Sequence, residues 1–344
     1  MNVKNCLVRS ALSLLMFAFF AVLSPTADAQ TLKTIKDRGV LVCGVSQGIA
    51  GFSVRSPQGD WTGFDVDFCR ALAAAIFNDV SKVKFVPLST TDRFPALQSS
   101  EIDILSRNST WTMSREIDLG LVFAATTYYD CQGFMVRAAR KTDSALELSG
   151  SRVCVQSDTT TALNLSDYFN TNSMTFVPVF FTSADDATKA YDAKQCDVLT
   201  SDTSQLYADR IRLTKPDDHV ILSDIISKEP LGPVIREGDP QWLNIVKWTH
   251  FAMVNAEELG VSSHSITEAL LSKKPDVRRL VGTDGDYGEK MGLTKDWAVR
   301  IIRLVGNYAE VFDRNLGVKT QLGIPRGINQ LWSMGGILYA PPIR

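Results

Sequence analysis

Histidine is scarce in this sequence, and the patterns that mark metal sites, nucleotide sites and nucleophilic enzymes are absent. Its 344 residues include three histidines, and no two of them stand at a metal-ligand spacing. Gly44, Gly48 and Gly51 do not form a phosphate-binding motif, and no arrangement of serine, histidine and aspartate indicates a nucleophile. We therefore expect no catalytic residue, no metal and no cofactor.

An excess of positive charge is also absent. Lysine and arginine (36 together) nearly balance aspartate and glutamate (38 together), and the formal net charge is −2. This balance excludes a strongly basic nucleic-acid binder, so we expect no nucleic acid among the partners. The chain is long enough for a large core and, as a first expectation, for two domains.

No apolar run is long enough to span a membrane. The most apolar segment, 11–23, follows two basic residues and precedes a small-x-small cleavage pattern at 27–29. It is shorter than the roughly 20 residues that a transmembrane helix needs. We interpret residues 1–29 as a secretory signal peptide, with a membrane anchor as the alternative. The mature chain would then begin at Gln30, outside the cytoplasm.

The sequence contains an internal repeat. Residues 83–106 and 174–200 both begin with an apolar strand containing Phe-Val-Pro, continue through a helical stretch with alanine, and end in a second strand. Each half is therefore predicted to be β-α-β-α-β, which gives a parallel sheet with helices on both sides. Chance similarity within one large sheet is the alternative. An opening strand and helix precede the repeats, at 39–45 and 64–77 in the first half and at 151–156 and 160–169 in the second.

Two extended segments fit crossings between the halves, 126–137 and 225–239. Two crossings make the first lobe discontinuous, from 30–133 and 233–344, and make the second lobe, 134–232, a continuous insert. Helical patterns follow the second crossing, at 242–259 and 296–316.

The cysteines show no CxxC motif, and five of the six lie beyond the signal segment, so at least one is unpaired in an oxidising compartment. We predict that Cys154 pairs with Cys196, because they fall in the first and third strands of the second lobe, which are neighbours in a flavodoxin-like order. Cys43 and Cys69 are predicted to pair from strand to covering helix. Cys131 is then the free thiol.

Polar clusters follow a buried strand in each half. Ser106-Arg107-Asn108 stands at this place in the first half and Thr200-Ser201-Asp202 in the second. In open α/β sheets, ligands bind beyond the carboxyl ends of the strands. If the lobes face each other, both clusters line one cleft.

Two charged residues near these clusters fit the two ends of an α-amino acid. Arg115, preceded by Ser109, Thr110 and Thr112, has the bidentate donor that a carboxylate needs, although it can also be a surface arginine beside its neighbouring glutamate. Asp202, on the opposite lobe, can bind an ammonium group through its carboxylate, or it can be a helix N-cap.

A run of threonines opens the first helix of the second lobe. Thr159, Thr160 and Thr161 stand where a helix N-terminus favours an anion. Plain capping of the helix is the alternative, and it is at least as well supported by the residue types alone.

The chain resembles a known family. The segments that carry the resemblance are GFDVDFCRALA (63–73), ALQSSEIDILSRNSTWTMSRE (96–116), VQSDTTTALN (155–164) and CDVLTSD (196–202). They are similar to the periplasmic solute-binding proteins of amino-acid ABC importers, family 3, and in particular to the general L-amino-acid binders. The resemblance covers nearly all of the mature chain.

The resemblance implies an α/β fold of the type II periplasmic-binding-protein class. Two lobes, each a mainly parallel sheet flanked by helices, would be joined by two hinge strands and close on one amino acid. It also implies that Arg115 holds the α-carboxylate, helped by Thr110 and Thr160, and that Asp202 takes the α-ammonium together with the backbone of Asn108.

The chain departs from the family's basic-amino-acid binders at three places. These carry an acidic residue and a tyrosine in the first lobe's opening loop, where this chain has Ser46 and Ile49, and an aromatic residue near Thr90. The losses argue against lysine, arginine or histidine as ligand and favour a pocket that tolerates many side chains. Asp158 stands where the family usually has glycine, and its effect on the carboxylate site is open.

We therefore expect a monomeric periplasmic protein that captures free L-amino acids with broad specificity and hands them to the permease subunits of an inner-membrane ABC importer. The alternative is a periplasmic dehydratase-like enzyme, since such enzymes share the fold and a fold does not settle activity. An extracellular sensing module is a third possibility, which no attached segment supports.

Overall fold

The computed structural model describes residues 30–344, so the interpretation of 1–29 as a signal peptide lies outside the described residues. Its strands are β1 (Leu41–Ser46), β2 (Val54–Arg55), β3 (Trp61–Thr62), β4 (Val83–Leu88), β5 (Ile104–Leu105), β6 (Leu121–Phe123), β7 (Tyr128–Asp130), β8 (Gln132–Arg137), β9 (Ser151–Gln156), β10 (Phe176–Phe181), β11 (Val198–Asp202), β12 (His219–Ile221), β13 (Glu229–Leu231) and β14 (Val234–Arg236). Its α-helices are α1 (Gln30–Arg38), α2 (Phe64–Phe77), α3 (Arg93–Gln98), α4 (Met113–Ile117), α5 (Thr160–Thr171), α6 (Ala184–Asp192), α7 (Thr203–Arg210), α8 (Pro240–Glu258), α9 (Ile266–Ala269), α10 (Pro275–Leu280), α11 (Tyr287–Lys290), α12 (Trp297–Leu304) and α13 (Tyr308–Asn315).

Two five-stranded sheets form the two lobes. Their strand orders are β4-β1-β5-β14-β6 and β10-β9-β11-β8-β12. In each sheet the first strand of its half lies between the second and third strands and runs parallel to both. The internal repeat predicted these two β-α-β-α-β units, and the two-lobed α/β fold is confirmed.

Each sheet is mainly parallel, as expected, with four strands running in one direction and one strand running against them. β14 runs antiparallel to β5 and β6 in the first sheet, and β8 runs antiparallel to β11 and β12 in the second. Each antiparallel strand follows a crossing between the lobes. The chain enters each sheet from the side of the other lobe, at the carboxyl ends of the parallel strands, so it must run against them.

The crossings are the strands β7 and β13, which pair antiparallel with each other outside both large sheets. β8 begins at Gln132 and β14 at Val234, so the two chain segments enter their sheets directly after this pair. The division of the chain at 133/134 and 232/233 stays a prediction.

The C-terminal segment packs on the first lobe through α2. The sequence places Phe64, Phe68, Leu72 and Ile76 on one face of α2. Nearly all of the helix is nevertheless buried, because α8, α12 and α13 cover its other sides. Asp67 of α2 is buried and accepts a hydrogen bond from Arg314 Nε at 2.8 Å, which ties α13 to this helix. The last residues also contact this lobe, since Asn255 Nδ2 donates to the carbonyl oxygen of Pro341 at 3.0 Å.

The helical pattern at 296–316 is two helices, α12 and α13, and not one. Gly306 has φ +101°, a conformation that breaks an α-helix and that glycine adopts without strain. Asn307 then caps α13 in a capping box with Glu310.

Among residues 30–344, no helix is both long enough and apolar enough to cross a bilayer.

Both predicted disulfides are confirmed. Cys43 of β1 joins Cys69 of α2, with Cα atoms 6.4 Å apart, and Cys154 of β9 joins Cys196, just before β11, with Cα atoms 5.6 Å apart. Among residues 30–344, Cys131 is the free cysteine, and its Sγ lies 3.3 Å from Thr203 Oγ1. Each disulfide therefore fixes the first strand of a lobe to a neighbouring element of the same lobe.

Replacing Cys154 and Cys196 together by alanine is expected to lower the free energy of unfolding by about 2–4 kcal/mol, because the bond closes a loop with a sequence separation of 42 residues. Denaturant unfolding followed by circular dichroism measures the change. Cys131→Ala is the matched control, and its smaller effect should not depend on reductant. A wild-type unfolding midpoint that a reductant leaves unchanged would contradict the prediction.

Candidate functional site

A cavity of about 480 Å³ lies between the two lobes, within the roughly 300–1,000 Å³ typical of small-molecule sites. Ser46 ends β1, Gln156 ends β9 and Asp202 ends β11, so the parallel strands of both sheets point their carboxyl ends at it. All nine residues predicted to contact a ligand line this cavity: Ser46, Ile49, Thr90, Asn108, Thr110, Arg115, Thr159, Thr160 and Asp202. Their individual roles stay predictions.

The lobes contact each other beside the cavity. Asn108 Nδ2 lies 3.4 Å from Gln205 Oε1, and Gln156 Nε2 lies 3.4 Å from Thr90 Oγ1. Each contact joins a residue of the first lobe to one of the second. The side-chain oxygen of Asn108 is buried and has no hydrogen-bond partner within residues 30–344, so it remains available as an acceptor.

Arg115 is held in place by its own helix and loop. Thr112 caps α4 by accepting from the backbone N–H of Arg115, and Arg115 Nη1 donates to the carbonyl oxygen of Thr110 at 2.7 Å. Its neighbour Glu116 accepts instead from Trp111 Nε1 at 2.8 Å. The alternative of a surface arginine paired with Glu116 therefore does not describe this side chain.

The Arg115 guanidinium faces the cavity without a carboxylate bonded to it. Burial lowers its pKa, while the negative charges of Glu229 and Asp202 oppose this shift. A guanidinium stays protonated in proteins, so burying it costs free energy that a carboxylate ligand would offset. Arg115 is thus available for bidentate binding of such a group.

Asp202 occupies the N-cap position of α7, but its side chain makes no capping hydrogen bond. The carboxyl group is 6% exposed, and burial raises its pKa well above the usual range, with Asp130 and Glu229 adding to the shift and Arg115 and Arg93 opposing it. A ligand ammonium would stabilise its charged form. The capping alternative therefore accounts for where Asp202 lies in the chain but not for what its side chain does.

The three threonines of α5 differ in their contacts. Thr159 caps the helix, because its hydroxyl accepts from the N–H of Ala162 and donates to the carbonyl oxygen of Gln156 at 2.7 Å. Thr160 donates its hydroxyl proton to Glu229 Oε2 at 3.0 Å. Plain capping thus describes Thr159. As at any helix N-terminus, the N–H groups of the first turn of α5 have no partner within the helix itself.

Glu229 is one residue of this region that sequence reasoning missed. It lies on the crossing strand β13, is 1% exposed, and accepts hydrogen bonds from side chains of both lobes. The donors are Thr110 Oγ1 at 2.5 Å, Ser227 Oγ at 2.6 Å, Asn164 Nδ2 at 2.7 Å and Thr160 Oγ1 at 3.0 Å. The hydroxyl groups of Thr110 and Thr160, which were expected to help hold a ligand carboxylate, therefore donate their hydrogen bonds to Glu229.

The loop predicted to contact the ligand side chain is uncharged. Ser46 is buried, and its Oγ lies 2.5 Å from Ser53 Oγ, while Ile49 and Thr90 line the cavity beside it. This wall presents hydroxyl and aliphatic groups and no carboxylate that would pair with a basic ligand side chain.

The open question about Asp158 has an answer in the backbone. Asp158 has φ +58°, a left-handed conformation that glycine adopts without strain and aspartate tolerates. Its side chain is exposed and does not line the cavity. The acid therefore points into solvent, away from the cavity.

Two further arginines, Arg93 and Arg107, line the cavity and were not predicted to contact a ligand. Arg107 stands in the polar cluster after β5, and Arg93 begins α3 just beyond β4, so the rule on strand ends was the available signal for both. Among residues 30–344, no cluster of histidine, cysteine, aspartate or glutamate side chains is arranged to hold a metal ion.

Comparison with known proteins shows similarity to one family of binding proteins. Residues 41–263 match the bacterial extracellular solute-binding proteins, family 3. The chain is 51% identical over 343 residues to the general L-amino acid-binding periplasmic protein AapJ of Rhizobium johnstonii, covering 99% of this chain and 100% of AapJ. It is 47% identical over 328 residues to the glutamate/glutamine/aspartate/asparagine-binding protein BztA of Rhodobacter capsulatus, covering 95% of this chain and 97% of BztA.

A solved structure shares the whole fold. It is a periplasmic binding protein of an ABC transporter from Brucella ovis with glutathione bound. The TM-score is 0.90 at 50% sequence identity, and the match covers 91% of this chain and 99% of that one.

Proposed function

Because the chain belongs to the family 3 bacterial extracellular solute-binding proteins, we propose that it captures free L-amino acids with broad specificity between its lobes and delivers them to an ABC importer. One observation carries this proposal. Arg115 and Asp202 face the same cavity from opposite lobes, and neither makes an ion pair within residues 30–344. Every α-amino acid presents the two groups that they would bind.

The relatives support the place and the partners in this proposal. AapJ is named as a periplasmic protein, and the Brucella ovis protein as part of an ABC transporter. We propose the same compartment for this chain, with transient contact to the permease subunits in the inner membrane. The monomer was expected from the sequence and stays part of the proposal.

The ligand is proposed to bind and leave without chemical change. A dehydratase would need an acid or base placed over a leaving group, with a pKa tuned to that role. No histidine or cysteine belongs to the lining of the cavity in the described part of the chain. The relatives reported above are named as binding proteins, and no observation favours the dehydratase alternative.

Closure of the lobes is proposed to accompany binding. β7 and β13 are the two connections between the lobes, so a change of backbone angles near 130–136 and 228–235 would move one lobe against the other. Only a closed arrangement places Arg115 and Asp202 around one ligand. An amino acid therefore shifts the population toward the closed state.

Native mass spectrometry and titration calorimetry of the mature protein test the proposal. We expect an amino acid to co-purify or to bind with a dissociation constant well below 1 mM. The binding free energy should therefore be more favourable than about −4 kcal/mol, the value that corresponds to 1 mM. The radius of gyration from small-angle scattering is expected to fall with ligand. Absence of binding for every L-amino acid and an unchanged radius would overturn the proposal, as would turnover of prephenate or arogenate.

A further inference from the structure

Three guanidinium groups, those of Arg93, Arg107 and Arg115, meet at the first-lobe side of the cavity. Arg93 is 3% exposed and Arg107 is 7% exposed. Arg93 and Arg115 lie over the same ring, that of Phe94, at 4.7 and 5.5 Å from its centroid. Their guanidinium carbons are therefore no farther apart than the sum of these two distances.

None of the three forms an ion pair in the described part of the chain. Arg93 has one hydrogen-bonded side-chain partner, Ser109 Oγ at 3.3 Å, and the Nε atoms of Arg93 and Arg107 are buried without a partner. Burial lowers the pKa of Arg93, and the neighbouring Arg107 and Arg115 lower it further. The negative charge of Asp202 opposes this shift, but no acidic side chain in the described part of the chain is bonded to Arg93.

The other arginines near the cavity have acidic residues close to them. In the second lobe, Arg212 pairs with Asp185 and lies 3.9 Å from Asp209. In the first lobe, the positive charge of Arg107 opposes the effect of burial, which raises the pKa of Asp65 to about 7. Asp65 is thus the acidic group nearest in effect to Arg107, although no hydrogen bond joins them, and Arg115 is assigned to the α-carboxylate, which leaves Arg93 without an assigned anion.

A zwitterionic amino acid does not balance this arrangement. Its carboxylate would bind Arg115 and its ammonium would bind Asp202, as in the proposed function on which this inference rests. One carboxylate cannot also satisfy Arg93 bidentately. A ligand with a second carboxylate would supply the missing anion. Because Arg93 and Arg115 both lie over the Phe94 ring, one small ligand could reach both guanidinium groups.

We propose that Arg93 binds a side-chain carboxylate and gives the cavity a preference for acidic L-amino acids, aspartate and glutamate, within its broad range. The wall formed by Ser46, Ile49 and Thr90 fits this assignment, because it adds no negative charge that would repel such a side chain. Arg93 is thus a specificity-determining residue, while Arg115 and Asp202 bind the part that all amino acids share.

Calorimetry of the wild type with L-glutamate, L-glutamine and L-glutamate γ-methyl ester tests the preference without a mutation. The three ligands have nearly the same shape, and only glutamate carries the second charge. We expect glutamate to bind about 10- to 100-fold more tightly than the other two, the range of a charge-assisted pair over a neutral hydrogen bond. Equal affinities within about threefold would overturn the inference and leave the proposed function standing.

Arg93→Gln is the second arm. It should weaken glutamate binding by about 10- to 100-fold and change glutamine binding by less than about threefold. Arg93→Lys, which keeps the charge, should retain part of the preference, and Arg55→Gln, an exposed arginine outside the cavity, should change neither affinity. Equal losses for both ligands in Arg93→Gln would assign Arg93 to the common carboxylate or to folding and overturn the inference.

The outcomes also separate the two proposals. If the wild type binds no amino acid, the proposed function fails and the specificity proposal fails with it. If Arg93→Gln does not fold, the comparison of the three ligands on the wild type still decides for or against the preference.

Discussion

Replacing Arg115 by alanine is expected to weaken the binding of every L-amino acid by about 30- to 5,000-fold, the effect of truncating one partner of a buried charge pair. The loss should be nearly the same for all ligands, because each presents the same α-carboxylate. Phe94 and the carbonyl oxygen of Thr110 would keep their positions but would offer no cation in its place. Calorimetry with glutamate, glutamine and alanine measures the three losses.

Arg55→Ala is the matched control, since Arg55 is exposed and lies outside the cavity. Circular dichroism should show that both variants are folded. Binding by Arg115→Ala within about threefold of the wild type would be well under the 1.4 kcal/mol of a tenfold change, and Arg115 would then not hold the ligand.

Replacing Asp202 by alanine is expected to reduce affinity by about 30-fold or more, again for every amino acid, because the ligand ammonium would be buried without its anion. Asp158→Ala is the matched control: its carboxylate also belongs to the second lobe but is exposed and outside the cavity. A loss confined to some side chains would show that Asp202 does not bind the common ammonium.

The same residue predicts how binding depends on pH. Burial raises the pKa of Asp202 well above its usual range, and a ligand ammonium would stabilise the charged carboxylate and lower this pKa. Binding then releases a proton, so affinity should rise with pH through the raised pKa and weaken as pH falls. Calorimetry from acidic to neutral pH should show this slope in the wild type, and Asp202→Asn should flatten it.

The repeat could be predicted from the sequence because it depends on local patterns. The bounds of α2, Phe64–Phe77, agree with the predicted 64–77. The rule that ligands bind beyond the carboxyl ends of parallel strands then places Asp202 and the segment that leads to Arg115 at one cleft. The break at Gly306 was missed because an apolar period continues across it, and the period does not report the backbone angle of a single residue.

Hydrogen-bond partners far apart in the chain could not be predicted. Thr110 and Glu229 are separated by 119 positions, and Thr160 and Glu229 by 69, yet their bonds decide which hydroxyls a ligand can use. The sequence places Glu229 only within a crossing segment, since nothing in its neighbourhood of the chain marks it as buried.

By itself the sequence predicted the two-lobed architecture and the disulfide pairs from local periodicity and from the order of strands, and with the family resemblance it pointed to nine of the residues that line the cavity. The tertiary structure alone decided which charges remain uncompensated: it paired Arg212 with Asp185, placed Asp65 near Arg107, and left Arg93 with Ser109. The physical reason is that a buried charge is stabilised or penalised by groups within a few ångströms in space, and those groups come from segments that only folding brings together.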